Sequence, residues 1–390
     1  MISLAEAARG QNDYVVAMRR NFHMCPELGG EEIRTQRTIT TELERIGLIP
    51  RRIAGTGVVA DLVGSVPGKM VALRADMDAL PIPDGKDVPY RSRVEGVCHA
   101  CGHDGHMAML LGVANALAQM RSELNGTVRF LFQPSEERFP SGALAMIRDG
   151  AMDGVDHVLG IHLWQPLASR VAGISHGVLM AAPDEFTITV KGTGGHGSMP
   201  QDTVCALSTG AQIVCALNTI VGRSLDPLES AVISPGMFRS GEVFNVTPEV
   251  AVIKGTIRSF NEQVRTRVWD RLTSTCEGIC RAAGATCTVD KLLGHPPVVN
   301  HAGVATIVAE AAAETVGAGR VREIPPSMGG EDFAYFLQQA PGMFLFLGIG
   351  QDDPVRAFPH HHPQFDLDES VLTVGVEILI RSVLKLLSGR

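Results

Sequence analysis

From residue 184 to residue 294 the sequence spells a self-contained βαββαβ unit, and the chain on either side of it follows a different rhythm. "EFTITVKGTGG" alternates apolar and polar residues as a half-exposed strand does, and helical spacing runs from Thr203 to about Val221. "ESAVISPGMF" and "EVAVIKGTIRSF" predict two further strands. An amphipathic helix, "NEQVRTRVWDRLTSTCEGICRAAG", and a last strand, "ATCTVDKLL", complete an order that is ferredoxin-like. Outside this block, short apolar runs alternate with helical patterns, the signature of a mostly parallel α/β sheet. The prolines of "GHPPVVN" (294 to 300) mark a linker. A chain of 390 residues is too long for one compact core. The expected architecture is a discontinuous α/β domain built from residues 1–183 and 295–390, with a smaller α+β domain, 184–294, inserted into it.

Three runs of the α/β part, "MVALRADMD" (70 to 78), "GTVRFLFQPSEE" (126 to 137) and "HVLGIHLWQP" (157 to 166), each read as a buried strand running into a polar loop. Ligand sites of open α/β sheets lie beyond the carboxyl ends of their strands, so these loops are candidates to converge on one cleft. The segment "HACGHDGH" (99 to 106) is followed by apolar residues at helical spacing, Met107, Leu110, Leu111, Ala114 and Leu117, and so sits at the start of a core-facing helix. Its thiol and imidazoles, Cys101, His103 and His106, fit three readings: a structural metal knuckle, a catalytic cysteine beside its histidine, or one corner of a larger metal site. Glu136 and Glu137 end the second strand, where one carboxylate can hold a metal while its neighbour handles a proton. His162 ends the third. Asp76 and Asp78 share one face of the first strand's extension, and each can cap a loop or orient a metal-bound histidine. "PHHHPQFD" (359 to 366) adds three consecutive histidines.

Composition narrows the partners. With 45% apolar and 19% charged residues the chain is an ordinary folded protein rather than a disordered one. A net charge of -8 without any run of Lys and Arg argues against nucleic acid or an anionic membrane surface, which leaves a small molecule. Eight cysteines lie scattered through helices and strands rather than at the dense spacing of a secreted disulfide scaffold. The first 30 residues lack the apolar stretch of a signal peptide, and no apolar run is long enough to span a membrane. The expected location is the cytoplasm.

In order along the chain, "RADMDALP", "HACGHDGHMAMLLG", "FLFQPSEE", "GIHLWQP", "GTGGHGSMP", "GEVFNVTPE", "GTIRSF", "GGEDFAYF" and "HHHPQFDLDE" resemble the metal-dependent amidohydrolases that include hippurate hydrolase, bacterial N-acyl-amino-acid amidohydrolases and plant indole-acetyl-amino-acid hydrolases. The resemblance spans nearly the whole chain. It implies a zinc-peptidase-like mixed sheet with helices on both faces, an inserted ferredoxin-like domain for dimerisation or as a lid, and two divalent metal ions (zinc, or manganese, cobalt or nickel). By this resemblance Cys101 bridges the two ions, His103 and His162 complete one site, and Glu137 and His361 the other. His361 is chosen because the family's ligand stands two residues before the proline, here Pro363. Glu136 is the general base and Asp78 the carboxylate that orients a metal-bound histidine. His196 resembles a histidine supplied across a dimer interface, while Asn245 and Arg258 resemble substrate-binding residues. Read without the resemblance, Arg258 is a surface salt-bridge partner and Asn245 a turn residue. Cys98, where the family commonly has methionine, and "NVTPE" depart from the pattern without touching a ligand.

The implied activity is hydrolysis of the amide bond of N-acyl amino acids by a homodimer or higher homo-oligomer. A dipeptidase or carboxypeptidase uses the same chemistry on a peptide bond. A hydrolase with Cys101 as nucleophile, or a metal-stabilised binding protein without catalysis, are the alternatives from other classes.

Overall fold

The computed structural model describes residues 3–350 and 357–388. They gather into two compact units, one drawn from Met1–Gly177, Val299–Pro325 and Tyr335–Arg390, the other from Val178–Val298 and Pro326–Ala334. The second unit thus takes in a short stretch that the sequence pattern assigns to the flanking domain. Backbone pairing is the reason: the Ala181 N–H bonds Ser327 O (3.1 Å) and Gly329 O (2.9 Å), and the Ser327 N–H bonds Leu179 O (2.8 Å).

The first unit is built on an eight-stranded sheet in the order Arg51–Ile53, Gly57–Val63, Asn125–Gln133, Val66–Asp76, His157–Ala168, Gly342–Gly350, Ala172–Ile174, Val321–Glu323. Val66–Asp76 runs parallel to both Asn125–Gln133 and His157–Ala168, which in turn runs parallel to Gly342–Gly350. The strands at the Arg51 edge are antiparallel, so the sheet is mixed. Parallel pairing points the polar loops after Asp76 and Gln133 toward the same end of the sheet, the end at which a strand-end site is assembled. Gly342–Gly350, "GMFLFLGIG", is buried along its whole length, as a continuous apolar run must be when both faces of a strand are covered. Helix His103–Gln119 is buried on nearly all sides and packs with helices Asn12–Met24 and Leu372–Ser388.

In the second unit the four strands lie in the order Ala231–Ser240, Val250–Ser259, Ala182–Lys191, Thr286–Leu293, every neighbour antiparallel. Helices Ala206–Ser224 and Glu262–Ala283 bury Ile213, Leu217, Val268 and Leu272 with Phe186, Ile188 and Ile253 of the sheet. The unit's main strands and helices follow one another in the order βαββαβ. Asn261 caps helix Glu262–Ala283 by accepting from the Val264 N–H (2.8 Å), and Gly284 closes it at φ 76°, a left-handed position glycine takes without steric cost.

Candidate metal centre

Gly102, at φ 90°, turns the chain out of the Cys101 loop and into helix His103–Gln119, so thiol and first helical residue share one corner. The His103 Nδ1–H donates to the Asp78 backbone carbonyl at 2.9 Å, which leaves Nε2 for the cluster. The His162 Nδ1–H likewise donates to Leu163 O at 2.9 Å, and its Nε2 lies 3.5 Å from Cys101 Sγ. Ligand atoms of Cys101, His103 and His162 all fall within 4.8 Å of one another.

A second triad shares the same thiol: Cys101, Glu137 and His361 also bring their ligand atoms within 4.8 Å. Both oxygens of Asp78 hold the glutamate loop, Oδ1 accepting from the Glu136 N–H and Oδ2 from the Glu137 N–H, each at 3.0 Å. His361 Nε2 stands 3.1 Å from Glu137 Oε1. His361 adopts φ 63°, a conformation uncommon for a residue with a side chain, and its N–H is tied to Ala100 O at 2.8 Å. Its neighbours are spent elsewhere: His360 Nε2 bonds Leu163 O at 2.9 Å, and His362 stacks on Phe358. His106 is spent too, with Nδ1 on Asp76 Oδ1 (2.6 Å) and Nε2 accepting from the Leu163 N–H (2.9 Å). It supports the centre rather than lining it. Glu136 lies close enough for its carboxylate to group with His103 and Glu137.

The electrostatics call for cations. Burial, reinforced by Glu137, Glu136 and Asp76, holds the Cys101 thiol well above its ordinary value. Burial lowers His103, but Asp76 and Asp78 outweigh it and push the imidazole up to about 10. Burial beside His106 and His360 holds His162 well below its ordinary value. His103 Nε2, fully buried, has no hydrogen-bond partner and faces Asp76 Oδ2 at 3.5 Å. A thiol, three imidazoles and a carboxylate in two triads, with an orphaned ring nitrogen among them, fit a pair of divalent ions, since a coordinated thiol is deprotonated by its metal. The same field disfavours a nucleophilic cysteine, which requires an electropositive setting that lowers its pKa.

His196, Asn245 and Arg258 belong to the second unit. His196 is exposed in a two-residue strand paired with Val246–Thr247. Its Nδ1 accepts from the Ser198 N–H (3.2 Å) and lies 2.9 Å from the Ser198 hydroxyl, so the ring proton resides on Nε2. Asn245 is exposed, its carbonyl accepting from the Gly197 N–H at 2.9 Å. Arg258 is half-buried on strand Val250–Ser259, and burial lowers its pKa.

Sequence reasoning missed the layer beneath. Arg74 bridges Gln133 Oε1 and Asp76 Oδ2 at 2.7 Å each. Arg19, 1% exposed, reaches Asp104 (2.8 Å) and Asp366 (2.6 Å), and His23 Nδ1 meets the same Asp104 oxygen at 2.7 Å. No local spacing announces these pairs. The one available signal was His106, one helical turn after His103 and so placed on the same side of the helix as a supporting residue.

Comparison with known proteins agrees along nearly the full length. The family described as Peptidase family M20/M25/M40 matches residues 72–385. An N-acyl-L-amino acid amidohydrolase of Geobacillus stearothermophilus is 46% identical over 288 residues, covering 74% of this chain and 78% of that one. Thermostable carboxypeptidase 2 of Saccharolobus solfataricus is 41% identical over 367 residues, 93% of each chain. The crystal structure of the Bacillus subtilis YXEP protein, described as a dinuclear metal-binding peptidase from the M20 family, superposes with a TM-score of 0.86 at 32% identity, covering 98% of this chain and 99% of that one.

Proposed function

The chain belongs to peptidase family M20/M25/M40 and is a metal-dependent amide hydrolase; from that premise we propose that it cleaves N-acyl amino acids to a carboxylic acid and a free amino acid. The observation that carries the proposal is the pair of ligand triads sharing Cys101 Sγ, with the Glu136 carboxylate beside them. Two divalent ions held by Cys101, His103, His162, Glu137 and His361 would supply Lewis-acid polarisation of the amide carbonyl and lower the pKa of the attacking water. Zinc suits a thiolate and imidazole set, with manganese, cobalt and nickel as alternatives.

Glu136 takes the proton of the water as it attacks and delivers it to the departing nitrogen. Asp78 holds the glutamate loop and the His103 ring in register for that transfer. His196 offers an Nε2–H donor to the developing oxyanion, supplied by the partner subunit of a homodimer. Arg258 grips the free carboxylate of the substrate, for which its planar fork is suited, and Asn245 also contacts the substrate. A cytoplasmic location fits the eight unpaired thiols, and among the described residues no helix is long and apolar enough to cross a membrane.

The carboxypeptidase name of one relative favours a second reading, in which the acyl group is a peptide and the same residues act unchanged. Metal content by ICP-MS, paired with hydrolysis of N-acetyl and N-benzoyl amino acids and dipeptides before and after EDTA, tests both. Two metals per chain with acyl-amino-acid turnover that follows them is the expected result. A preference for dipeptides selects the second reading, and turnover indifferent to EDTA overturns both.

A further inference from the structure

Three consecutive backbone N–H groups lead into the metal centre, those of Ser135, Glu136 and Glu137. The last two donate to Asp78, as described above. The first donates to Glu32 Oε1 at 2.8 Å, across 103 residues of sequence. Glu32 is fully buried at the start of helix Ile33–Arg45, and its other oxygen accepts the hydroxyl of Thr56. Ser135 sits at φ 51°, in the left-handed region that a serine does not hold unaided and that persists where the surroundings over-determine it. The Ser135 N–H is half-buried at this turn, and Glu32, itself fully buried, is the acceptor that satisfies it.

We propose that Glu32 is a positioning residue for amide hydrolysis, fixing the left-handed turn at Ser135 so that the Glu136 carboxylate meets the attacking water at the right place. Asp78 holds the glutamate loop from one side, through the N–H groups of Glu136 and Glu137. Glu32 holds it from the other, upstream of the base, on the residue whose carbonyl accepts from the Gly142 N–H at 3.1 Å. The proposal rests on the reading of Glu136 as general base.

The chemistry of the pocket separates a positioning role from a charge effect. Glu32→Ala leaves the Ser135 N–H without its acceptor. Glu32→Gln keeps it, because the amide oxygen can accept from Ser135 while the NH2 group donates to the Thr56 hydroxyl oxygen. Steady-state kinetics and ICP-MS metal content are to be measured for both variants, with Glu136→Gln in the same assay. The expected result is a kcat loss on the order of 10²-fold in Glu32→Ala, the scale of a misplacement near 1 Å. KM and metal content stay unchanged, and Glu32→Gln recovers most of the rate. Wild-type kcat in Glu32→Ala, an equal loss in both variants, or loss of metal would each overturn the proposal. If Glu32→Ala does not fold, Glu32→Asp, whose carboxylate is drawn back by one methylene, takes its place: a loss in kcat alone supports the role and a wild-type rate overturns it. Wild-type turnover in Glu136→Gln would instead remove the general-base reading, an outcome distinct from all of these.

Discussion

Cys101 Sγ lies 3.5 Å from His162 Nε2, the ring nitrogen left free because Nδ1–H is committed to Leu163 O. The thiol belongs to both triads of candidate ligand atoms.

Cys101→Ala therefore removes one donor from each triad at once. Metal content should fall at both positions and activity with it, whereas a substitution at His162 should weaken one. ICP-MS on the two variants checks this, and full occupancy in Cys101→Ala would exclude a bridging thiol.

Glu136→Gln keeps the Glu136 backbone N–H that Asp78 holds and removes only the proton acceptor. Metal content and KM should persist while kcat drops by roughly 10²–10⁴-fold, the usual range for loss of a general base.

His196 presents Nε2–H outward because the Ser198 N–H occupies Nδ1. If the partner subunit uses that donor, His196→Ala and Glu136→Gln are each inactive alone, yet mixed under conditions that exchange subunits they should regain activity. Each hybrid dimer carries one intact composite site. A mixture that stays inactive while native mass spectrometry detects hybrids would assign His196 to its own subunit.

The second unit has an acid-sensitive anchor. Asp184 is buried and accepts from Arg265 Nε (2.9 Å), Trp269 Nε1 (2.7 Å) and the Gly294 N–H (2.9 Å). Burial alone would raise its carboxyl, but these donors outweigh it and hold it below its ordinary value of 3.8. The stabilisation is complete above that ordinary value and is lost as pH falls through the lower folded-state value. Asp184→Asn should cost about 3–5 kcal/mol at neutral pH, as expected when one partner of a buried ion pair is removed. Urea melts should find the gap to wild type narrowing below about pH 4, the range in which the unfolded-state carboxyl takes up its proton.

The elements and the residue types of the centre were legible because both are written locally. Strands with a two-residue period, a helix with Asn261 and Gly284 at its two ends, and the short motifs after Asp76, Gln133 and at "HACGHDGH" all lie within a few residues of what they determine. Even the inserted unit follows from its own period.

What the sequence could not determine is which of several equivalent groups is left free, because that depends on partners far away in the chain. Leu163 is the example. Its carbonyl takes His360 and His162 Nδ1, and its N–H takes His106 Nε2, so one backbone position settles the availability of three imidazoles. Arg19 with Asp104 and Glu32 with Ser135 are joined across 85 and 103 residues. Residues 326–334 join the second unit through hydrogen bonds to Leu179 and Ala181. Local periodicity reports how a segment buries its own face. Contacts between distant segments are fixed only when the sheet brings the strand ends together, and there the tertiary structure decides which ring nitrogen is already bonded and which carboxylate holds the loop.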